Sequence, residues 1–394
     1  MGWAALSELV PYYPLYALLF LDTGLSGGQI SALFALWSLT GFLAEVPTGA
    51  LADRCSRRGS LVLAGVLQAG AFALWTTFPV PLSFAAGLVI WGIGGALMSG
   101  AAEALVYDGL AAVGASGWYL RVSGWMRAAE LLVQVPTALA ATVLFAAGGY
   151  RLVGWVSVGC CLSAAALALR FPEPLRSVAG EQAMGSVRAA VVETLRSPAL
   201  RLAVLAVGLI GGLDAVEEYF PVLAADRRVP VAAVPLAVLG ISLAGAAGAA
   251  LAERAGRLPG RALPALLATA AVCLGVAALV RSPLALGAVA VFYALYLAVL
   301  VVAEARLQDR IDSAHRATAT SVASLGIELS GLLVFAAWTL GGLAAIALLA
   351  LAVVPMAAVG LRRPAADAAA QGFRGPRSRP ADAQSARTRR SAAT

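Results

Sequence analysis

The chain has 394 residues, of which 61% are hydrophobic and only 12% charged, with a mean hydropathy of +0.86 and a formal charge of +7. Water-soluble domains carry about a quarter charged residues, so this composition excludes a soluble globular protein. It predicts an all-α integral membrane protein whose charges have to be read by position.

Taken in order, twelve apolar runs are each long enough to cross the ~30 Å hydrocarbon core as a helix. They cover 4–22, 28–52, 60–78, 82–108, 118–146, 150–171, 199–224, 231–253, 262–281, 283–306, 316–338 and 340–361, and are numbered below as spans one to twelve. The start has no basic leader and Glu8 interrupts its apolar run, so it reads as a first span and not a cleaved signal. Links on one side are short and marked by Gly or Pro, as in Phe78-Pro79-Val80-Pro81 and Ala147-Gly148-Gly149. One link is longer and polar, 172–198, and it divides an N-terminal six-helix bundle, 1–171, from a C-terminal one, 199–361. The remainder, 362–394, is rich in Arg, Ala, Ser and Pro without apolar period, and is expected to be a disordered basic tail beside the lipid surface, with no nucleic-acid partner.

Arginines concentrate in the even-numbered links and the tail, which places both chain ends in the cytoplasm of a bacterial cell, the chain crossing its inner membrane many times. Four cysteines, two of them adjacent in an apolar run, offer no disulfide framework. A single His315 and no Cys/His cluster remove the usual metal sites, and no cofactor is expected. No phosphate-cradling loop followed by Lys and Ser/Thr is present, which argues against ATP-driven pumping.

The first strong break in hydrophobicity is Gly49-Ala50-Leu51-Ala52-Asp53-Arg54-Cys55-Ser56-Arg57-Arg58-Gly59, between spans two and three. About 200 residues later, Ala249-Ala250-Leu251-Ala252-Glu253-Arg254-Ala255-Gly256-Arg257 repeats its pattern, and Ala102-Glu103-Ala104 with Asp108 is echoed by Ala303-Glu304-Ala305 with Asp309. The chain therefore reads as two similar halves.

The Gly49–Arg58 stretch resembles the signature loop of the major facilitator superfamily, with Ser56 standing where that family prefers Gly. The resemblance covers about 4–361 and implies that family's fold, two pseudo-symmetric six-helix halves around a midplane site, working by alternating access as a monomer on a small-molecule substrate and protons. It also implies a gating role for Gly49, Asp53, Arg54, Arg57, Arg58 and Asp108 in the first half, and for Glu253, Arg254, Arg257 and Asp309 in the second, with Asp108 paired to Arg57 or Arg58. Glu45-Val46-Pro47-Thr48-Gly49 and Ser99–Asp108 look like a bacterial drug-efflux-like branch, although 127–137 lacks the Gly-Pro pair of the drug-proton antiporters.

An ionisable side chain in hydrocarbon costs at least ~2.5 kcal/mol, so such residues are expected to face a cavity or a partner. Glu130 and Glu328 lie ~18 Å into spans five and eleven, near mid-bilayer. Arg127 is one turn from Glu130, and Glu103 on span four is expected within reach, either as a structural cluster or as a proton switch. Span seven carries Asp214, Glu217 and Glu218, expected on one helical face, with Asp214 the deepest and the two glutamates nearer the outer end, wet or paired with Arg227 or Arg228. Their continuation, Tyr219-Phe220-Pro221, echoes Tyr12-Tyr13-Pro14 of span one. Glu8 and Glu45 are expected near the cytoplasmic ends of their helices. Trp37, Trp91, Trp125, Tyr16, Tyr293 and Tyr296 are available either to line a site for an aromatic or cationic compound or to sit at interfaces and packing seams. Acids outnumber bases in the presumed cavity, which favours protons or a cationic substrate.

The substrate- and proton-binding candidates are accordingly Glu130, Glu328, Asp214, Arg127, Glu103 and Glu217, with no catalytic residue and no enzyme activity. The expected function is secondary active export of an amphipathic or cationic solute against protons. A proton-coupled uptake permease, and a non-transporting sensor or scaffold on the same fold, are the rivals.

Overall fold

The computed structural model describes residues 1–54, 56–172, 198–310 and 316–361. The link 173–197, Cys55, His315 and the tail 362–394 lie outside the described residues, as do the side chains of Asp53 and Arg54. The described residues are helical with short turns and no strand, and all of them fall in one unit, Met1–Leu361.

Among the described residues, eight helical stretches are long and apolar enough to cross a membrane. Two of them are double. The helix Tyr119–Ala168 turns at Gly148 and Gly149 to give spans five and six, and Arg316–Gly360 turns at Gly341 and Gly342 to give spans eleven and twelve. The second glycine of each pair has nearly the same backbone, φ 59° at Gly149 and φ 58° at Gly342, a region open to glycine and strained for other residues. The internal repeat is thus written in the backbone at equivalent places of the two halves.

Spans two, three and four are the helices Gly27–Arg54, Arg57–Thr77 and Pro81–Ala112. Spans eight, nine and ten are Val234–Ala250, Ala262–Leu279 and Ala285–Gln308. Spans one and seven were expected as continuous helices and are not. Span one is Gly2–Glu8 and Tyr16–Asp22, interrupted where Pro11 and Pro14 withhold amide donors and push their predecessors out of helical geometry. The Tyr12 amide freed by that break is caught by Ser157 Oγ of span six at 3.0 Å. Span seven is Pro198–Gly212, a 3-10 segment Leu213–Tyr219, then Phe220–Asp226 with Pro221 in its first turn. There the Gly211 carbonyl is caught by the Tyr296 hydroxyl of span ten at 3.2 Å. Both breaks are therefore paid for by hydrogen bonds from a neighbouring helix, as an apolar medium requires.

Within the first half, span four packs on spans two and three; within the second, spans seven, nine and ten pack on their neighbours. The halves meet where span two lies on span eleven, span one on span seven, and the helix of spans five and six on span eight. The seam is aromatic at the end of the short links: Phe34 meets Tyr219 at 5.5 Å and Phe335 at 5.9 Å, and Ser31 Oγ bonds the Tyr219 hydroxyl at 2.7 Å. On span two the described side-chain contacts with the other half end at Ser38.

Close approach of spans eight and ten depends on Gly248, where an added Cβ would stand 1.9 Å from the Ala294 carbonyl oxygen. Gly240, about two turns away, has open space where an added Cβ would stand. Gly248→Ala is expected to cost about 1–3 kcal/mol by overpacking and to lower the thermal unfolding midpoint in detergent, with Gly240→Ala as the neutral control. Equal midpoints for the two variants would remove the packing role.

Candidate functional site

Between the halves lie two cavities of about 420 Å³ and 410 Å³ that share Trp37, Gly95, Glu217 and Glu218 and so form one two-lobed chamber. Its size is that of a pocket for a drug-sized molecule. The first lobe is walled by Tyr13, Tyr16, Trp37 and Trp91, with Glu8 on its edge. Tyr13 stacks on Trp91 at 5.5 Å and 12°, and Trp37 meets Trp91 at 5.1 Å, giving a continuous aromatic wall from the first half. The second lobe is floored by Gly41, Gly92, Gly211 and Gly212 and rimmed by Glu45, Asp214 and Glu328.

The break in span seven decides where its acids point. In a 3-10 helix residues three apart eclipse, while the fourth swings aside. Asp214 and Glu217 accordingly share one donor, the Tyr293 hydroxyl of span ten, at 3.2 Å and 3.0 Å. Glu218 turns across the seam to accept a hydrogen bond from the Tyr16 hydroxyl of span one. The expectation of three acids on one α-helical face fails for this reason. Glu217 and Glu218 line the chamber in place of an outer helix end, Glu217 remaining exposed there, and Arg227 donates to the Ala277 carbonyl at 3.0 Å.

The other candidates separate. Glu328 lines the second lobe and accepts from Ser38 Oγ of span two at 3.2 Å, a second hydroxyl-to-carboxylate contact between the halves. Glu130 pairs with Arg127 at 3.4 Å, neither lines the chamber, and the Arg127 side chain is 78% exposed. Glu103 is exposed and is not brought to that pair. Glu8 is the last residue of the short helix Gly2–Glu8, close to the end where it was expected, and also lines the chamber, with Glu130 and Arg127 near enough to act on it electrostatically. Trp125 is 57% exposed and outside the chamber, whereas Tyr296 is buried behind it. Glu8, Glu218 and the Tyr16 hydroxyl are the residues that reading by helical period misses. The available signal was the proline spacing after Glu8 and Glu218, which marks both as flanking a broken helix.

At the first signature loop Arg57 pairs with Asp108, and Arg58 Nη1 donates to the Phe171 carbonyl at 3.3 Å. Ser56 takes an extended conformation, φ −167°, and caps the third span by accepting from the Gly59 amide at 2.8 Å, so the position needs no glycine. Gly49 lies within span two. The second copy is arranged differently: Glu253 pairs with Arg257 one turn on, both exposed, Arg254 is exposed, and Asp309 is exposed outside the described ion pairs.

Tyr16→Phe removes the donor to Glu218 and one bond across the seam. A hydrogen bond to a charged group contributes about 1.5–3 kcal/mol, so its thermal midpoint in detergent is expected to fall clearly. Tyr13→Phe, whose ring stacks on Trp91, is expected to melt as the native chain does; identical melts for the two variants would contradict the bridge.

Residues 2–335 match the sequence family described as the Major Facilitator Superfamily. A comparison with curated proteins gives no significant match. Among solved structures, a bacterial homologue of the human lysosomal transporter Spinster, inward-facing and unoccupied, is similar with a TM-score of 0.69 and 14% identity over 91% of this chain and 93% of that one. A D-xylose-proton symporter gives 0.65 and 16% over 90% and 95%, and a mutant of the nucleoside transporter NupG 0.65 and 12% over 91% and 97%. With a segmented first and seventh span enclosing a chamber between repeated halves, and a family match over most of its length, the chain belongs to the Major Facilitator Superfamily and is a multi-pass membrane protein acting as a secondary transporter.

Proposed function

We propose that the protein exports an amphipathic organic cation across a bacterial inner membrane in exchange for protons, as a monomer with both chain ends in the cytoplasm. The observation that carries this reading is the chamber: an aromatic wall from one half faces carboxylates from the other, and the described lining residues include no arginine or histidine. Cations are held by aromatic faces and by carboxylates, and each is stronger where water is thin.

Proton coupling is assigned to Asp214 and Glu217. Their shared Tyr293 hydroxyl has one proton to donate and two carboxyl groups within reach, so full satisfaction calls for a further proton on the pair. Glu218 and Glu328 are assigned to the substrate, because both face the chamber and both hold the seam through a hydroxyl of the other half. A cation that claims them weakens that seam and lets two bundles, 1–171 and 199–361, rock against each other. Glu130 and Arg127 are assigned to tuning Glu8 in the chamber wall. Arg57 with Asp108, flanked by Gly49, Asp53, Arg54 and Arg58, is the proposed gate of the first half, and Glu253, Arg254, Arg257 and Asp309 are its counterpart.

Everted membrane vesicles energised with a proton gradient are expected to accumulate ethidium and to release it when the gradient is collapsed. Asp214→Asn and Glu217→Gln are each expected to lower the rate at least about tenfold, the loss of roughly 1.4 kcal/mol or more of coupling. Accumulation by intact cells instead would reverse the direction, and transport indifferent to the gradient and to both variants would overturn the coupling.

A further inference from the structure

The chamber has more carboxyl groups than one cation can pair with. Glu8, Glu45, Asp214, Glu217, Glu218 and Glu328 all line it, from spans one, two, seven and eleven. Arg127 lies near enough to act on Glu8, from outside the chamber. Tyr16, Tyr293 and Ser38 give hydrogen bonds to four of the six, which satisfies lone pairs and supplies no counter-charge. The acids are also divided between two differently built lobes. One is broad and aromatic with Glu8; the other is glycine-floored with Glu45, Asp214 and Glu328; Glu217 and Glu218 stand at the junction.

We propose that the preferred substrate is a dication on one amphipathic body, its ring and first cationic group against Tyr13, Trp37 and Trp91 beside Glu218, and its second cationic group in the glycine-floored lobe between Asp214 and Glu328. The proposal rests on the cation reading given above and adds the number and placing of the charges. Two cavities of about 420 Å³ and 410 Å³ joined at Trp37 and Gly95 give one elongated molecule room to occupy both. The second lobe is about as large as the first, so a cationic arm extending from the ring has room beside Asp214 and Glu328. The two charges bind at separate places, so their contributions are expected to multiply in the equilibrium constant.

The test compares three probes sharing one benzene ring, by calorimetric titration of the purified full chain in detergent: para-xylylene-bis(trimethylammonium), benzyltrimethylammonium and uncharged neopentylbenzene. The charges are permanent, so the pH of the buffer alters only the protein. The dication is expected to bind at least about tenfold tighter than the monocation, and that ratio is expected to fall below about threefold in both Glu328→Gln and Asp214→Asn. Equal affinities for the two cations, with neopentylbenzene weaker, would overturn the dication proposal and leave the cation reading standing. A ratio unchanged in both variants would likewise overturn the placing of the second charge. Neopentylbenzene binding as tightly as either cation, or no binding by either cation, would overturn both readings. The comparison on the native chain decides the first point even where a variant fails to fold.

Discussion

Carboxylates in a medium that cannot hydrate them govern this structure. An acid within the hydrocarbon has to find a donor, a counter-charge or a proton, and the described lining of the chamber supplies hydroxyl groups in place of cations. Tyr293 serves two acids of its own half, while Tyr16 and Ser38 each serve one acid of the opposite half. Two of these contacts therefore both satisfy a chamber acid and bond across the seam that has to open. On the proposed mechanism, that double use couples what occupies the chamber to which end of it is closed.

The geometry that makes this possible comes from proline. In the first and seventh spans the α-helix ends at Glu8 and at Gly212 and resumes at Tyr16 and at Phe220, with a Tyr-aromatic-Pro sequence, Tyr12-Tyr13-Pro14 or Tyr219-Phe220-Pro221, where it resumes. A continuous α-helix would carry Asp214, Glu217 and Glu218 along one stripe; the 3-10 turn splits them between two partners. The break exposes backbone groups, and Ser157 and Tyr296 meet that demand from adjacent helices. Duplication supplied the scaffold and divergence assigned the parts. The Gly148–Gly149 and Gly341–Gly342 turns remain near copies, yet the first half supplies the aromatic wall and the second half most of the acids. The signature loops diverge too, with Arg57 reaching Asp108 on another helix while Arg257 stays with Glu253 on its own.

Much of the fold is legible because the membrane imposes a crude code. Length and apolarity alone locate the spans within a few residues, and the paired loops at Gly49–Arg58 and Ala249–Arg257 announce the repeat. The site is less legible, since assigning faces by a 3.6-residue period presumes an unbroken helix. That presumption gives Glu218 the wrong neighbours and does not bring Glu8 to the chamber, although Tyr12-Tyr13-Pro14 and Tyr219-Phe220-Pro221 mark the interruption. Counting depth along an axis located Glu130 and Glu328 equally deep, yet depth says nothing of direction: Glu328 faces the chamber and Glu130 faces Arg127. Ser56 shows the same limit in a milder form, since a position read as needing glycine is served by a serine cap.

The central claim is that positive charge entering the chamber replaces protons held among its acids. Its most direct measurement is the number of protons released per ligand when tetraphenylphosphonium binds the purified chain, obtained by calorimetry in buffers of different ionisation enthalpy near neutral pH. The account predicts a net release that falls away in the Asp214→Asn, Glu217→Gln double variant. Binding of the cation with no proton released at any pH tested would contradict it.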